Sequence, residues 1–236
     1  MNQKIRMKRK TRKLKYGRIL ILLLLVALFI FLLIKFINKK ITNIYIHNNK
    51  YIFTNIGENS KYREQTLIEL AGLENYPSAI LTSVSKIKKR LLENAYIKDA
   101  KVYKKNIFEL HIYIEENRPL FYNNNTNKTV LETAEAVDDI FNVPILVNYV
   151  PDKVYADFVK CMNEIDDNTL MHTSEIKYDP NNLDEERFLF TMTDGNYVYI
   201  TLNRFNLINN YLDIIKKIDG KKGILYLDYG DHFVFE

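Results

Sequence analysis

One uninterrupted apolar segment limits what this chain can be. Residues 19–34 read ILILLLLVALFIFLLI, sixteen residues without a charged or strongly polar side chain. As a helix they cover roughly 24 Å, and the flanking residues extend this to the ~30 Å of a bilayer core if the Lys35 ammonium reaches the interface. We therefore predict a transmembrane helix over residues 19–37, with Ile19 and Ile34 at the ends of its apolar stretch.

The basic residues of the chain are unevenly divided around this segment. Residues 1–18 hold nine of the 34 Lys and Arg and no acidic residue, so the rest of the chain has 25 bases against 29 acids. Such asymmetry predicts a cytoplasmic N-terminus, and the lack of small residues after Lys35 argues against a cleaved signal peptide. The tail of residues 1–18 has two interpretations. In the first it orients the helix and contacts anionic headgroups, and in the second it also docks a cytoplasmic partner. A basic folded surface for nucleic acid is not indicated.

Residues 41–117 have the pattern of a small α+β domain. Period-two alternation after residue 41 predicts a strand that ends at the Asn48-Asn49 pair. Helical spacing predicts two helices, the first over residues 61–71 and closed by Gly72, the second beginning at Ser83 or Ser85. Strands over residues 96–103 and 107–115 complete the order β-α-α-β-β. The predicted core comprises the apolar faces of these elements: Ile44, Leu67, Leu70, Ile87, Leu91, Val102 and Ile112.

Residues 118–236 have a strand-rich α+β pattern that opens at Arg118-Pro119. Amphipathic helices are expected over residues 152–166 and 204–218. Two apolar runs flank Asp194-Gly195, which predicts a hairpin with a type I′ turn. Gly220 is expected to end the second of these helices. A strand is expected over residues 223–229, and the sequence closes with a last apolar alternation, His232, Phe233, Val234 and Phe235.

A search for catalytic residues finds little. Cys161, the single cysteine, introduces one alternative function, that of a membrane-anchored extracellular cysteine transpeptidase of the sortase type. Its position in the middle of an apolar helix face instead favours a buried structural thiol, because a nucleophilic thiolate needs an exposed, electropositive site. The four histidines are scattered without metal-ligand spacing, and no glycine-rich phosphate loop or nucleophile elbow occurs in the sequence. No catalytic residue, metal or cofactor is therefore expected.

The order of these elements, with several short motifs, resembles the bacterial division proteins of the FtsQ and DivIB family. In that family the first external domain is a POTRA domain and the second is called the β domain. The resemblance assigns residues 41–117 to the POTRA domain and residues 118–236 to the β domain. The motifs that carry it are Ile44-Tyr45-Ile46-His47-Asn48-Asn49, with Asn48 in place of a glycine, Tyr96-Ile97-Lys98-Asp99-Ala100-Lys101-Val102, Glu115-Glu116-Asn117-Arg118-Pro119-Leu120, Val143-Pro144-Ile145-Leu146 and Thr193-Asp194-Gly195-Asn196.

The resemblance implies a non-enzymatic scaffold of the division septum that binds FtsL-like and FtsB/DivIC-like single-span proteins and helps control septal peptidoglycan synthesis. The expected mode is strand addition at an unpaired sheet edge, which we place on residues 223–229 and the adjoining last strand, where the sequence ends. The predicted partner-binding residues are Tyr226, Leu227, Asp228, Tyr229, Gly230, Phe233 and Phe235. An outer-membrane assembly factor is excluded, because the residues after Pro119 cannot build a transmembrane barrel.

Overall fold

A computed structural model describes residues 16–48, 60–218 and 221–235 of this chain. Side-chain surroundings are described for these residues except Asn48 and residues 60–64. The sequence predictions for most of the basic tail, for Asn49 and for Gly220 fall outside the described residues.

The apolar segment forms one helix, α1 (Tyr16–Ile37), none of whose residues is buried by the described chain. Its 22 residues correspond to about 33 Å at 1.5 Å per residue, which is enough to cross a bilayer core. Lys35 lies near its C-terminal end, where its Nζ sits 5.1 Å from the centre of the Phe31 ring. A side chain in that place can extend along the helix toward the lipid headgroups.

The first domain after α1 is a three-stranded sheet covered on one face by two helices. Its elements are β1 (Asn43–Asn48), α2 (Ser60–Ala71), α3 (Val84–Leu92), β2 (Ile97–Asn106) and β3 (Glu109–Glu116), and the strand order is β1-β3-β2. Strand β1 runs parallel to β3, and β2 runs antiparallel to it. The expected β-α-α-β-β order is confirmed. Leu67, Ile87, Leu91, Val102 and Ile112 are buried in its core.

Local signals explain both helix ends that the sequence indicated. Ser83 is the N-cap of α3, and its hydroxyl accepts a hydrogen bond from the Lys86 amide at 3.4 Å. Gly72 follows α2 with φ of +68°, the left-handed conformation that glycine adopts without a Cβ penalty.

The second domain after α1 is built on a nine-stranded sheet. Its strands lie in the order β12-β11-β10-β9-β8-β7-β4-β5-β6. Their bounds are β4 (Pro119–Asn123), β5 (Lys128–Leu131), β6 (Ala136–Val137), β7 (Ile145–Leu146), β8 (Thr173–Tyr178), β9 (Arg187–Met192), β10 (Tyr197–Thr201), β11 (Gly223–Tyr226) and β12 (His232–Phe235). This strand-rich unit confirms the α+β class. One face carries the helices α4 (Asp152–Asn163), α5 (Asp167–Met171) and α6 (Tyr211–Ile215), packed on a core that includes Phe158, Phe188 and Phe190.

The predicted α-helix over residues 204–218 is wrong in type. The segment Leu202–Asn210 is a 3-10 helix, and only Tyr211–Ile215 is α-helical before a second short 3-10 turn, Lys216–Ile218. The physical reason is the spacing of its buried residues, which recur every three positions and so match the 3.0 residues per turn of a 3-10 helix. These buried residues are Leu202, Phe205, Ile208 and Tyr211.

The β9–β10 hairpin forms as expected, but its turn is not type I′. Gly195 has φ of +87°, whereas Asp194 does not have positive φ. The amide of Gly195 donates to the Met192 carbonyl at 3.0 Å, and the Met192 amide donates to the Asn196 carbonyl at 2.9 Å. A three-residue loop with a left-handed glycine at its end produces this pattern.

The two domains meet at the segment that joins β3 to β4. Arg118 extends from it to the end of α4 and donates to the carbonyl oxygens of Ile165 at 2.8 Å and Asn163 at 2.9 Å. Its guanidinium also pairs with Asp167 at 2.8 Å. A small apolar cluster beside this joint includes residues from both domains, with Tyr96 packed against Phe141.

Candidate functional site

Strand β12 lies at one edge of the large sheet, and it is the second of the two segments on which the sequence placed the edge. Strand β11 is interior, because it pairs in parallel with β10 and antiparallel with β12. Among the described residues, β12 is hydrogen-bonded to a neighbouring strand on one side only. The predicted edge is therefore correct only in part: the strand over residues 223–229 is interior and ends at Tyr226, whereas residues 232–235 form the edge.

The seven predicted partner-binding residues divide into two groups. Leu227 is 2% exposed and belongs to the core, and Asp228 is held in a buried ion pair, so neither presents its side chain to a partner. Tyr226 is half-buried, Tyr229 and Gly230 are exposed in the turn before β12, and Phe233 packs partly on the core. Phe235 is 51% exposed on the edge strand itself. A role of these residues in partner binding stays a prediction.

Internal contacts of Asp228 explain why the chain leaves β11 after Tyr226. The Arg187 Nε donates to Asp228 Oδ2 at 2.7 Å, and Arg187 Nη1 lies 3.2 Å from Asp179 Oδ2. The amides of Leu227 and Asp228 both donate to the Tyr199 carbonyl. These bonds bend the chain toward β10, and the turn that follows returns it as β12.

A row of stacked side chains crosses the outward face of the sheet and ends at the free edge. The Arg187 guanidinium lies 3.5 Å from the centre of the Tyr199 ring, on β9 and β10. Tyr199 stacks on Tyr226 at 5.4 Å between ring centres, and Tyr226 stacks on His232 at 4.9 Å. His232 is therefore the last member of the row on the edge strand. A strand added beside β12 would place one of its side chains next to this ring.

Gly223 is required where β12 approaches β11, a role that the sequence did not reveal. A Cβ atom at this position would lie 2.0 Å from the Val234 carbonyl oxygen and 2.7 Å from the Phe233 ring. The first of these atoms is backbone, so it cannot move without displacing β12. The signal that could have indicated this role was a glycine inside an apolar strand pattern, which often marks a close approach of backbone.

A buried polar cluster fixes the start of β11. The Asn196 side chain is buried, accepts from the Gly223 amide at 2.9 Å and donates to the Tyr211 hydroxyl at 3.1 Å. That hydroxyl donates to the Asp194 carboxylate at 2.7 Å. Burial and the bond to Asp194 raise the pKa of the Tyr211 hydroxyl. Burial alone would raise the pKa of the Asp194 carboxyl, but hydrogen bonds from Tyr211 and Asn196 outweigh it and lower that pKa.

Cys161 lies within α4, partly buried, as the sequence indicated. Its thiol donates to the Leu202 carbonyl at 3.6 Å. Burial, followed by the nearby charges of Glu164 and Asp157, raises the pKa of the Cys161 thiol to about 11. The thiolate is the nucleophilic form, so this position opposes the transpeptidase alternative.

Two of the four histidines, which are scattered in the sequence, come together in the fold. Parallel pairing of β1 with β3 brings His47 Nε2 within 3.4 Å of His111 Nδ1 on the face of the small sheet opposite its helices. Tyr45, Tyr103 and Tyr113 stack around them. Within the part of the chain that the structure describes, no group of three or more His, Cys, Asp or Glu residues is placed to hold a metal ion.

These features define a class of protein: an N-terminal apolar helix, a β-α-α-β-β domain and a strand-rich domain with an open sheet edge. A family model described as POTRA domain, FtsQ-type, matches residues 55–117. Among curated proteins, the cell division protein DivIB of Bacillus subtilis is 25% identical over 236 residues, covering 95% of this chain and 86% of that protein. DivIB of Listeria monocytogenes is 26% identical over 188 residues, covering 75% of this chain and 70% of that protein.

A solved structure also aligns with this chain. It is the major extracytoplasmic domain of the trans isomer of the bacterial cell division protein DivIB from Geobacillus stearothermophilus, with 25% identity and a TM-score of 0.36, covering 44% of this chain and 95% of that one. The family model and the curated relatives confirm the resemblance to the FtsQ and DivIB family that the sequence indicated.

Proposed function

We propose that this protein is a non-enzymatic, membrane-anchored scaffold of the bacterial division machinery, and that its second external domain binds partner proteins by strand addition at β12. The relatives that support a role in division are named as DivIB cell division proteins. The observation that carries the binding mode is the open edge of β12, on which Val234 and Phe235 are 47% and 51% exposed. Such an edge supplies backbone hydrogen bonds for affinity and alternate side chains for specificity.

The proposal includes the arrangement in the membrane. Helix α1 stays uncleaved and spans the cytoplasmic membrane once, with the basic N-terminal tail inside and both external domains outside, because the positive charges precede the apolar segment. A protein of this kind concentrates at the septum through its partners. Edman sequencing of the protein purified from membranes tests the anchor: an N-terminus beyond residue 40 contradicts it.

The partners of β12 are FtsL-like and FtsB/DivIC-like single-span proteins, which contribute an extended segment as a tenth strand of the sheet. Binding at this edge would couple them to the control of septal peptidoglycan synthesis. Direct contact is expected from the backbone of residues 232–235, with His232 and Tyr226 receiving a partner side chain on the outward face. Tyr229 adds exposed aromatic area beside the edge.

Proline substitution tests the edge without removing the strand. Neighbouring residues in an antiparallel strand direct their amides to opposite sides. Of the two single variants Phe233→Pro and Val234→Pro, one therefore removes an amide that bonds to β11, and the other removes an amide that points outward. The proline that leaves the melting temperature unchanged is the informative variant, and it should abolish co-purification of the coexpressed FtsL-like and DivIC-like proteins from the same bacterium with the full-length chain.

A matched control is Ile140→Glu, which changes an exposed apolar residue in the loop between β6 and β7, at the opposite end of the nine-strand order. It should leave both folding and co-purification unchanged. Tyr229→Glu should weaken co-purification without lowering the melting temperature, because its ring is exposed. If the folded proline variant and Tyr229→Glu both retain the two partners at the wild-type level, strand addition at β12 is excluded.

A further inference from the structure

The first external domain begins directly where α1 ends, and hydrogen bonds join the two. The hydroxyl of Ser78 donates to the Ile37 carbonyl at the last residue of the helix. The Ala79 amide donates to the Lys39 carbonyl at 2.7 Å, and the Ile41 amide donates to the Pro77 carbonyl at 3.1 Å. The loop of residues 75–82 is therefore attached to the membrane end of the chain rather than separated from it by a spacer.

A second part of the domain contacts the same short segment. The Phe108 carbonyl accepts hydrogen bonds from the amides of Thr42 at 3.0 Å and Asn43 at 3.3 Å. The Lys39 ammonium lies 5.6 Å from the centre of the Phe108 ring and 5.8 Å from that of Phe36, within the range of cation–π attraction. The β2–β3 turn is thus also held beside the end of α1.

The charge of these segments is uniform. Residues 35–42, 75–82 and 104–108 contain five lysines and no acidic residue, with Glu74 and Glu109 just outside them. Lys104 Nζ donates to the Ala79 carbonyl at 2.5 Å and so links the turn to the loop. Lys105, whose side chain is 66% exposed, lies 3.7 Å from the largely buried carboxylate of Glu109, so its ammonium also faces solvent. Lysines just outside an apolar span attract anionic headgroups.

Apolar side chains project from the same loop and turn, and the part of the chain that the structure describes leaves them exposed. Leu81 is 70% exposed in the loop, and Ile107 is 46% exposed at the tip of the turn. Tyr76, also exposed, is the kind of amphipathic side chain that settles at the headgroup level of a bilayer. Exposed leucine and isoleucine on a surface beside a membrane helix can enter the boundary between headgroups and acyl chains.

We propose that these residues form a membrane collar, which lies against the outer leaflet and binds anionic phospholipid headgroups. The collar consists of Lys39, Lys40, Lys104 and Lys105 around the apolar tips of Tyr76, Leu81 and Ile107. Contact at several points around α1 would limit the tilt of the first domain. Because Tyr96 of the first domain packs against Phe141 of the second, the collar would also set the orientation of β12 above the membrane. The collar proposal rests on the proposed retention of α1 as an anchor, and it is independent of strand addition at β12.

Spin labels placed on the collar test the proposal in the full-length chain. Leu81→Cys, Ile107→Cys and the control Leu183→Cys are made in a Cys161→Ser background, labelled with a nitroxide and reconstituted in nanodiscs of phosphatidylcholine alone or with added phosphatidylglycerol. Leu183 is an exposed leucine in the loop between β8 and β9 of the second domain. Power saturation compares collisions of each label with oxygen, which enters the bilayer, and with a water-soluble nickel complex.

Labels at residues 81 and 107 should favour oxygen over nickel in the anionic discs, whereas the label at residue 183 should favour nickel. Lys39→Gln and Lys105→Gln should each lower the equilibrium constant of the docked state by roughly fivefold, in line with the attraction of one lysine to an anionic surface. Lys160→Gln, an exposed lysine on α4, should have no effect.

The outcomes separate this proposal from the one on which it rests. Labels at residues 81 and 107 that remain as water-exposed as the label at residue 183 refute the collar while leaving the anchor intact. Equal contact in neutral and anionic discs refutes the assignment to anionic headgroups. Failure of the chain to stay in the discs refutes the anchor and the collar together.

Discussion

Replacing Arg118 by alanine should destabilise the second domain, because one side chain satisfies the end of α4 and connects it to the joint between the domains. The guanidinium is largely buried and donates to two main-chain carbonyls, of Ile165 and Asn163. Each hydrogen bond from a charged donor contributes about 1.5 to 3 kcal/mol net. The pair with Asp167, whose carboxylate is half exposed, adds at most about 1 kcal/mol.

These contributions share one side chain and are not additive, so we expect a loss of about 3 kcal/mol in the free energy of unfolding. A loss of that size lowers the melting temperature by roughly 6–12 °C in a chain of this length. Circular dichroism of the full-length protein in detergent measures it. Arg118→Lys should lose only about half as much free energy of unfolding as Arg118→Ala, because an ammonium cannot reach both carbonyls in the fork geometry of a guanidinium.

The control for this experiment is Arg204→Ala. Arg204 makes one ion pair, with Asp231 at 2.6 Å, and that carboxylate is exposed. Its loss should cost no more than about 1 kcal/mol. If Arg118→Ala and Arg204→Ala melt at the same temperature, Arg118 does not stabilise the end of α4 as described.

Three further changes test separate parts of the structure. Leu91→Ala, at a fully buried position of the first domain, should cost about 2 to 5 kcal/mol in chemical denaturation as a cavity mutation, and an unchanged midpoint would contradict the described core. Gly223→Ala should release β12, seen as faster hydrogen exchange of the amides of residues 232–235 while those of β8 remain protected. Tyr211→Phe should lower stability at neutral pH. Since the Asp194 pKa is depressed in the folded state, the difference in free energy of unfolding between the wild type and Tyr211→Phe should be full above pH 3.8 and should decrease as the pH falls below that value. A difference that grows in acid would refute the hydrogen bond between Tyr211 and Asp194.

Local pattern determined much of this fold in advance. The apolar helix α1 follows from sixteen apolar residues, and the ends of α3 and α2 follow from Ser83 and Gly72. The hairpin at Gly195 was also recognisable, although its turn type was not. In each case the determining interactions lie within a few residues of one another, so that sequence spacing alone contains the information.

The helix over residues 202–218 shows where a pattern was present but misinterpreted. Its buried residues recur at intervals of three, but the same residues also fit an α-helical face approximately. Packing of Phe205 against Phe188 and Phe190 on the face of the sheet favours the tighter winding of a 3-10 helix. The choice between two similar periodicities therefore depended on partners distant in sequence.

The candidate site was decided almost entirely by tertiary structure. The sequence by itself determined the apolar helix, the element order of the first domain and the presence of strand-forming residues at 223–226 and 232–235. Alternation shows which residues share a face of a strand but carries no information about which strands become neighbours. Pairing of β11 with β10 and of β12 with Gly223 joins segments that the chain separates by turns and helices, and only that pairing leaves residues 232–235 as the open edge.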